Sequence, residues 1–166
     1  MSSDSAELVI DFERLWSLAT RGFALGPDSD HGPHHWQRVE RNALKIIAGA
    51  GAGDLTVVRL FAVLHDSKRQ NEFQDPEHGQ RAADWACQIR GELFELDRGR
   101  FEQLQYALIW HDKGQVSDDP TIGACWDGDR LDLPRVGITP HPRFMSTAFA
   151  RSLLSDPAEY RRWRTP

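Results

Sequence analysis

Leu60-Phe61-Ala62-Val63-Leu64-His65-Asp66 places five apolar residues directly before a His-Asp pair. Apolar residues recur at helical spacing from Leu55 onward, and His65 continues their stripe. Asp54 is a residue type that caps the start of such a helix. The sequence therefore predicts a buried helix from Leu55 to about Asp66, with a histidine and a carboxylate at its end.

Helical spacing continues on both sides of this stretch, whereas the alternation typical of strands is scarce. The other predicted helices cover, to within a few residues, positions 5–23, 32–50, 77–93, 97–112, 120 to at least 129, and 146–154. Positions 134–143 are rich in Pro and Gly and are predicted to be irregular, and the basic run at 161–164 is interpreted as a solvated tail. We therefore predict an all-α chain, a single-domain bundle of about six to eight helices over residues 1–166.

The composition narrows the possible functions. The 166 residues are 40% apolar and carry a net charge of -5, which argues against stable nucleic-acid binding because that needs clustered Lys and Arg. The chain shows no secretory signal and no apolar run near the roughly 20 residues that span a bilayer, so a cytoplasmic protein without membrane contact is expected. Cys87 and Cys125 form no Cys-x-x-Cys pair, which argues against a thiolate zinc site.

Five predicted helices each carry a potential metal ligand on the apolar stripe: His35, His65, His78, His111 and Asp129. A buried polar group without a partner costs roughly 2–7 kcal/mol, so several together favour a shared cation. Imidazole and carboxylate ligands without thiolate suit Mn, Fe, Co, Ni or Zn. Taken singly, His78 or His111 is equally well interpreted as a hydrogen-bonded core residue.

Two further motifs flank the His-Asp pair in order. His31-Gly32-Pro33-His34-His35-Trp36-Gln37-Arg38-Val39 precedes it, and Trp126-Asp127-Gly128-Asp129-Arg130-Leu131-Asp132 follows it. The ordered set resembles the HD-domain superfamily of metal-dependent phosphohydrolases. In the family's opening motif a ligand His stands three positions before Arg-Val, which selects His35 rather than His34.

The closing motif resembles the family's Ala-Asp-Arg-Leu, with Gly128 in place of Ala. Asp129 is therefore the matching ligand, and Asp127 is the alternative. The resemblance implies an HD-type helical bundle with its motif-bearing core at about residues 30–133 and a C-terminal extension at 134–166. It implies a divalent metal, one ion or two, and this ligand set: His35, His65, Asp66 and Asp129.

The resemblance also implies residues that act on a phosphorylated substrate. Many relatives carry a basic residue four positions after the His of the pair, which is Arg69 here, with Lys68 beside it. Either cation suits a phosphate group. Arg38, one turn after the opening His, is predicted to contact substrate or to pair with a ligand carboxylate. Asp66 is predicted to act as a general base in addition to its role as a ligand.

The roles of His78 and His111 stay open at this stage. Both resemble the additional histidines of relatives that hold two metals. Alternatively, they bind phosphate, or His111 acts as a general acid.

Three functions compete on this evidence. The first is hydrolysis of a phosphate mono- or diester, a nucleotide or another small phosphorylated metabolite, by a metal-activated water. The second is a di-iron oxygenase, because some superfamily members use four His and two Asp for that purpose. The third is a metal- or nucleotide-binding sensor without catalysis. A homodimer is a further expectation, with positions 134–142 and the Trp-containing C-terminal tail as the possible contact.

Overall fold

Eight α-helices run through residues 10–165, the part of the chain that the computed structural model describes. They are α1 (Phe12–Arg21), α2 (Pro33–Ala50), α3 (Leu55–Leu64), α4 (His78–Ile89), α5 (Arg98–Trp110), α6 (Pro120–Arg130), α7 (Ala148–Ser155) and α8 (Pro157–Arg164). Two 3₁₀ turns, Leu133–Val136 and Pro142–Phe144, lie between α6 and α7. No β-strand occurs within the described residues, so the prediction of an all-α single-domain bundle is confirmed.

Helix α3 is the central helix of the bundle and packs against α2, α5 and α6. Every residue from Leu60 to Leu64 is fully buried, as expected for a helix that is apolar on all sides. The Asp54 carboxylate accepts hydrogen bonds from the Thr56 and Val57 backbone N–H groups and so caps its start. Helix α3 ends inside the bundle. The His65-Asp66 pair that follows it is therefore buried as well.

Several helix ends differ from the prediction. The first helix begins at Phe12, since the Asp11 carboxylate accepts from the Arg14 backbone N–H at 2.9 Å; the predicted residues 5–9 lie outside the described part. Helix α4 ends at Ile89 rather than near 93, because Gly91 adopts a left-handed turn with φ 82°. These corrections shorten helices without moving them along the chain.

Residues 157–164 form α8, a helix that the sequence did not predict, although Arg161, Arg162 and Arg164 are exposed to solvent as expected. The Asp156 carboxylate caps this helix. The Tyr160 hydroxyl donates to the Leu131 carbonyl oxygen at 2.6 Å, and Trp163 Nε1 donates to Asn42 Oδ1 at 3.0 Å. The two aromatic residues fasten α8 to the end of α6 and to α2. None of the helices in the described residues combines the length and apolar character that crossing a membrane requires.

Candidate metal centre

Six potential ligands meet at the centre of the bundle, delivered by five helices or by the residues directly after them. They are His35 from α2, His65 and Asp66 after α3, His78 from α4, His111 after α5 and Asp129 from α6. All except Asp129 are buried, and the side chain of Asp129 is 16% exposed. The structure thus brings together the four residues implied as metal ligands and the two additional histidines.

The first group surrounds the Nε2 atoms of His35 and His65, which lie 3.1 Å apart. Asp129 Oδ1 is 3.1 Å from the first of these nitrogens and 3.8 Å from the second. Asp66 Oδ2 is 3.7 and 3.8 Å from the same two nitrogens. Two bonds of about 2.0–2.2 Å to one ion place their donor atoms about 3–4 Å apart, so this spacing fits a single cation.

The second group lies on the opposite side of the same carboxylate. Asp66 Oδ1 is 3.1 Å from His78 Nε2 and 3.5 Å from His111 Nε2, and these two nitrogens are 2.9 Å apart. Asp66 therefore presents one oxygen to each group. Both groups could hold a metal ion, and Asp66 belongs to both.

The protonation of the four imidazole rings tests whether a cation fits. In each ring Nδ1 faces an oxygen and donates to it: Asp132 Oδ2 for His35 (2.7 Å), Ala62 O for His65 (2.9 Å), Leu108 O for His111 (2.7 Å) and Asp75 O for His78. Since a neutral imidazole carries one N–H, each Nε2 keeps a lone pair. These lone pairs face one another and two carboxylates, an arrangement that a cation satisfies and hydrogen bonds among neutral rings do not.

The electrostatics favour this state at His65, Asp66 and Asp129. At His111, burial acts to lower the pKa, but the hydrogen bond and the charge of Asp66 outweigh it and raise the pKa. Burial lowers the pKa of His65 to about 3, so its ring is neutral at physiological pH. Burial acts to raise the pKa of the Asp66 and Asp129 carboxyls, but interactions with the surrounding histidines outweigh it and hold both well below their usual range. Neutral imidazoles with ionised carboxylates are the forms that bind metal.

A glycine beside His78 allows α4 to approach α5. A Cβ on Gly79 would lie 2.5 Å from the carbonyl oxygen of Leu108, closer than any side chain tolerates. Because Gly79 directly follows His78, this approach brings His78 Nε2 next to His111 Nε2.

Gly128 has the same function between α6 and α2. A Cβ there would lie 3.1 Å from the Val39 carbonyl oxygen, tighter than ordinary packing. Asp129 follows directly and reaches His35 of α2. The departure from the family's Ala at this position therefore has a steric reason in this chain.

Gly79→Ala is expected to destabilise the fold by about 1–3 kcal/mol and to lower the affinity of the second group for metal, since α4 must move away from α5. Denaturant unfolding and metal content per chain are the measurements. Gly99→Ala is the matched control, because a Cβ there meets only Asp97 Oδ1 at 3.5 Å. Equal stability and metal content in the two variants would contradict the steric role of Gly79.

Three further side chains hold the ligands in place. Asp132 accepts from His35 Nδ1 through Oδ2 and from Arg38 Nε through Oδ1 at 2.8 Å. Arg38 thus supports a ligand through a carboxylate, and it lines a different cavity from the one that opens on the centre. On the other side, His31 Nδ1 lies 3.0 Å from Asp66 Oδ2 and its Nε2 lies 3.1 Å from the Glu72 carbonyl oxygen.

These supporting roles were only partly evident from the sequence. Arg38 was predicted to contact substrate or to pair with a ligand carboxylate, whereas its partner Asp132 is a carboxylate that supports the ligand His35 and carried no predicted role. The sequence did contain an indication that Asp132 belongs to the site. Asp132 stands three positions after Asp129, and residues at this spacing lie on the same side of a helical turn.

Two predicted site residues lie elsewhere. Asp127, the alternative ligand, accepts hydrogen bonds from the Ser146 N–H at 2.7 Å and from the Thr147 N–H at 2.8 Å, so it fastens the start of α7 to α6. Lys68 extends over the Trp85 ring, with Nζ 3.7 Å from its centroid, and lines a separate cavity. Neither side chain is directed at the centre in the structure.

Arg69, in contrast, is held against the centre. Its Nη1 lies 3.4 Å from His78 Nε2 and 3.8 Å from Asp66 Oδ1. Its Nε donates to the Asn71 carbonyl oxygen and its Nη2 to that of Phe73, so the loop after α3 fixes the guanidinium group. The predicted basic residue beside the His-Asp pair is therefore Arg69 alone.

A cavity of about 360 Å³ opens on the centre. Asp66, His111 and Asp129 form part of its lining, together with Arg69 and Arg135. A small molecule in this cavity meets residues of the centre and lies beside three arginines, since Arg130 is also part of the lining. Comparison of the chain with protein-family models, curated proteins and solved structures gave no match, so the resemblance to the HD-domain superfamily depends on the three motifs and on this helical His/Asp centre.

Proposed function

We propose that the protein hydrolyses a phosphate ester with the help of two divalent cations that share Asp66. One observation carries the proposal: the Nε2 atoms of four histidines and the carboxylates of Asp66 and Asp129 meet beside a cavity that Arg69 and Arg135 also line. The cations would be held by two groups, one made of His35, His65, Asp66 and Asp129 and the other of Asp66, His78 and His111. Mn, Fe, Co, Ni and Zn suit these ligand types.

Bound cations would neutralise charge on a phosphoryl group and lower the pKa of a coordinated water. In addition to the cations, the side chains of Arg69 and Arg135 place positive charge at the cavity. Arg135 Nη2 lies 3.5 Å from His31 Nδ1, while its Nε and Nη1 donate to the Asp30 and Asp132 carbonyl oxygens. Both guanidinium groups are therefore fixed by backbone oxygens, and each keeps one nitrogen near the centre to orient a phosphoryl group.

The proton of the attacking water needs an acceptor at the cavity. Both oxygens of Asp66 face imidazole nitrogens, so it is less suited to this role than the sequence predicted. Asp129 meets the histidines through Oδ1 and is the more exposed carboxylate, which leaves Oδ2 to accept the proton. The water oxygen forms a bond to phosphorus, the ester P–O bond breaks, and the proton that Asp129 accepted passes to the departing alcohol.

The test is phosphate release by metal-loaded protein from a panel of phosphate mono- and diesters, in the wild type and in Arg69→Gln. We expect turnover by the wild type and a loss of about 100-fold or more in kcat/KM for the variant, because a fixed charge-stabilising donor is removed. Lys68→Gln is the matched control: the neighbouring residue loses the same charge but lies over Trp85. Its kcat/KM should stay within about twofold of the wild type.

Absence of phosphate release from every ester would overturn the proposal. Equal losses of kcat/KM in the two variants would mean that Arg69 has no specific role at the site. The loss would then reflect only the reduced positive charge of the protein.

A further inference from the structure

Apolar side chains also line the cavity beside the centre. They are Leu133, Ile138, Pro140, Phe144 and Met145, and the same segment adds the polar residues Thr139 and His141. We call the five apolar residues the apolar wall. Ile138 is 53% exposed and Phe144 is 37% exposed, although both line a cavity. Exposed apolar groups that line the same cavity as a polar centre are the pattern of a small-molecule site with a polar and an apolar part.

Three guanidinium groups line the cavity, those of Arg69, Arg130 and Arg135. Arg69 and Arg135 reach the centre, as described above. Within residues 10–165, the lining contributed by positions 136–145 includes no Lys or Arg. Arg143 belongs to that segment, but its guanidinium group lies over the Phe144 ring at 4.4 Å. Arg130 donates to the carbonyl oxygens of Phe144 and His111, which engages both of its terminal nitrogens. The cavity therefore provides for one phosphoryl group at the centre, and positions 136–145 add no Lys or Arg that could hold a second phosphate.

The apolar wall is held at a fixed distance from the centre. Arg130 Nη1 donates to the Phe144 carbonyl oxygen at 2.6 Å, and its Nη2 lies 3.4 Å from the carbonyl oxygen of His111, a ligand. The segment that follows the wall is fixed by the hydrogen bonds from Ser146 and Thr147 to Asp127. The wall is thus formed before a ligand binds, which reduces the entropy lost on binding.

We propose that the substrate is a compact phosphate monoester whose esterified group is apolar, either aromatic or branched alkyl. This inference rests on the proposed hydrolase function and names the substrate class of the same site. The phosphoryl group meets the centre, Arg69 and Arg135, and the organic group lies on the apolar wall. The size follows from the volume, since about 360 Å³ is near the lower end of the roughly 300–1,000 Å³ of small-molecule sites.

The test is direct binding, independent of turnover. Calorimetric titration of metal-loaded protein compares phenylphosphonate with methylphosphonate, at a pH where both are dianions. Neither compound carries an ester bond to hydrolyse. Because the phenyl ring buries apolar area on the wall, we expect phenylphosphonate to bind at least about tenfold more tightly.

Ile138→Asn should reduce that ratio to about threefold or less, because a polar amide replaces the exposed centre of the wall. Leu55→Asn is the matched control, since Leu55 is 55% exposed and lies at the start of α3, away from the cavity. The control should keep the wild-type ratio. Equal affinities for the two phosphonates, or an unchanged ratio in Ile138→Asn, would overturn the proposal.

A second assay separates this inference from the hydrolase function. Phosphate release is measured from phenyl phosphate and glycerol phosphate with the same samples. Preference for phenylphosphonate without hydrolysis of either ester supports the ligand class and contradicts the hydrolase. Hydrolysis of both esters with equal kcat/KM, together with equal phosphonate affinities, contradicts the substrate class and supports the hydrolase.

Discussion

Asp66→Asn is expected to abolish the binding of both metal ions. Asp66 is the only residue that belongs to both ligand groups, and each of its oxygens faces one group. An amide keeps the shape of the side chain but removes its charge and turns one oxygen into an N–H donor. Losing a residue that merely supports a ligand costs roughly 10–100-fold in metal affinity, so losing a shared ligand should cost more than about 100-fold.

Metal content per chain, from elemental analysis of protein purified without chelator, is the measurement. The wild type should contain two equivalents and Asp66→Asn close to none. Asp84→Asn is the matched control, because Asp84 is an exposed carboxylate on α4, the helix that carries His78, and its Oδ1 accepts from Gln80 Nε2 at 2.9 Å. The control should retain both ions.

The metal content of the wild type also decides between the candidate functions. One equivalent, lost in Asp66→Asn, would support a mononuclear hydrolase. Two equivalents of iron together with oxygen uptake would favour the oxygenase. Tight metal binding without turnover of any phosphate ester would favour the sensor. No metal in either protein after reloading would contradict the metal centre.

Removal of metal is expected to lower the thermal midpoint of unfolding by about 10 °C or more. Without a cation, two ionised carboxylates and four lone pairs remain together in the bundle. A ligand that binds only the folded state contributes about 4 kcal/mol at a thousandfold excess over its Kd. For a chain of this size each kcal/mol shifts the midpoint by about 2–4 °C.

Thermal unfolding of the wild type, with metal and with chelator, is the measurement. The same comparison in Asp66→Asn is the control, and its midpoint should not respond to metal. A wild-type midpoint that is equal in the two conditions would mean that the ligand atoms are satisfied without a cation. The two predictions are linked, since the variant that loses the ions should also lose the stabilisation.

Much of the fold could be predicted from apolar periodicity. The predicted starts of the helices at 32, 55, 97 and 120 lie within about one residue of those of α2, α3, α5 and α6, because Pro or Asp marks each beginning and the stripe is strong. Helix α8 was missed because its basic residues dominate the local composition, while only Tyr160 and Trp163 indicate a packed side. A helix held by two aromatic anchors has too weak a periodic signal to recognise.

In the candidate site, too, some residue positions could be predicted from the sequence and others could not. A histidine on an apolar stripe must be directed into the bundle, so the positions of His35, His65, His78 and His111 followed from their spacing. Spacing carries no such information in a loop. Lys68 and Arg69 are adjacent and carry the same charge, yet one lies over Trp85 and the other against the centre. The path of the loop after α3 sends the two side chains in different directions. A loop has no periodic pattern from which its path could be predicted.

The sequence by itself determined the helical class, the buried character of α3 and the kinds of ligand that enter the bundle, because periodicity and residue type are local properties of a chain. Only the tertiary structure decided that α3 is central, that Asp66 lies between two ligand groups, that Asp127 faces α7 and that an apolar wall lines the same cavity as the centre. These features depend on distances between helices. Such distances are set by close contacts such as that between Gly79 and Leu108, in which residues far apart in sequence meet.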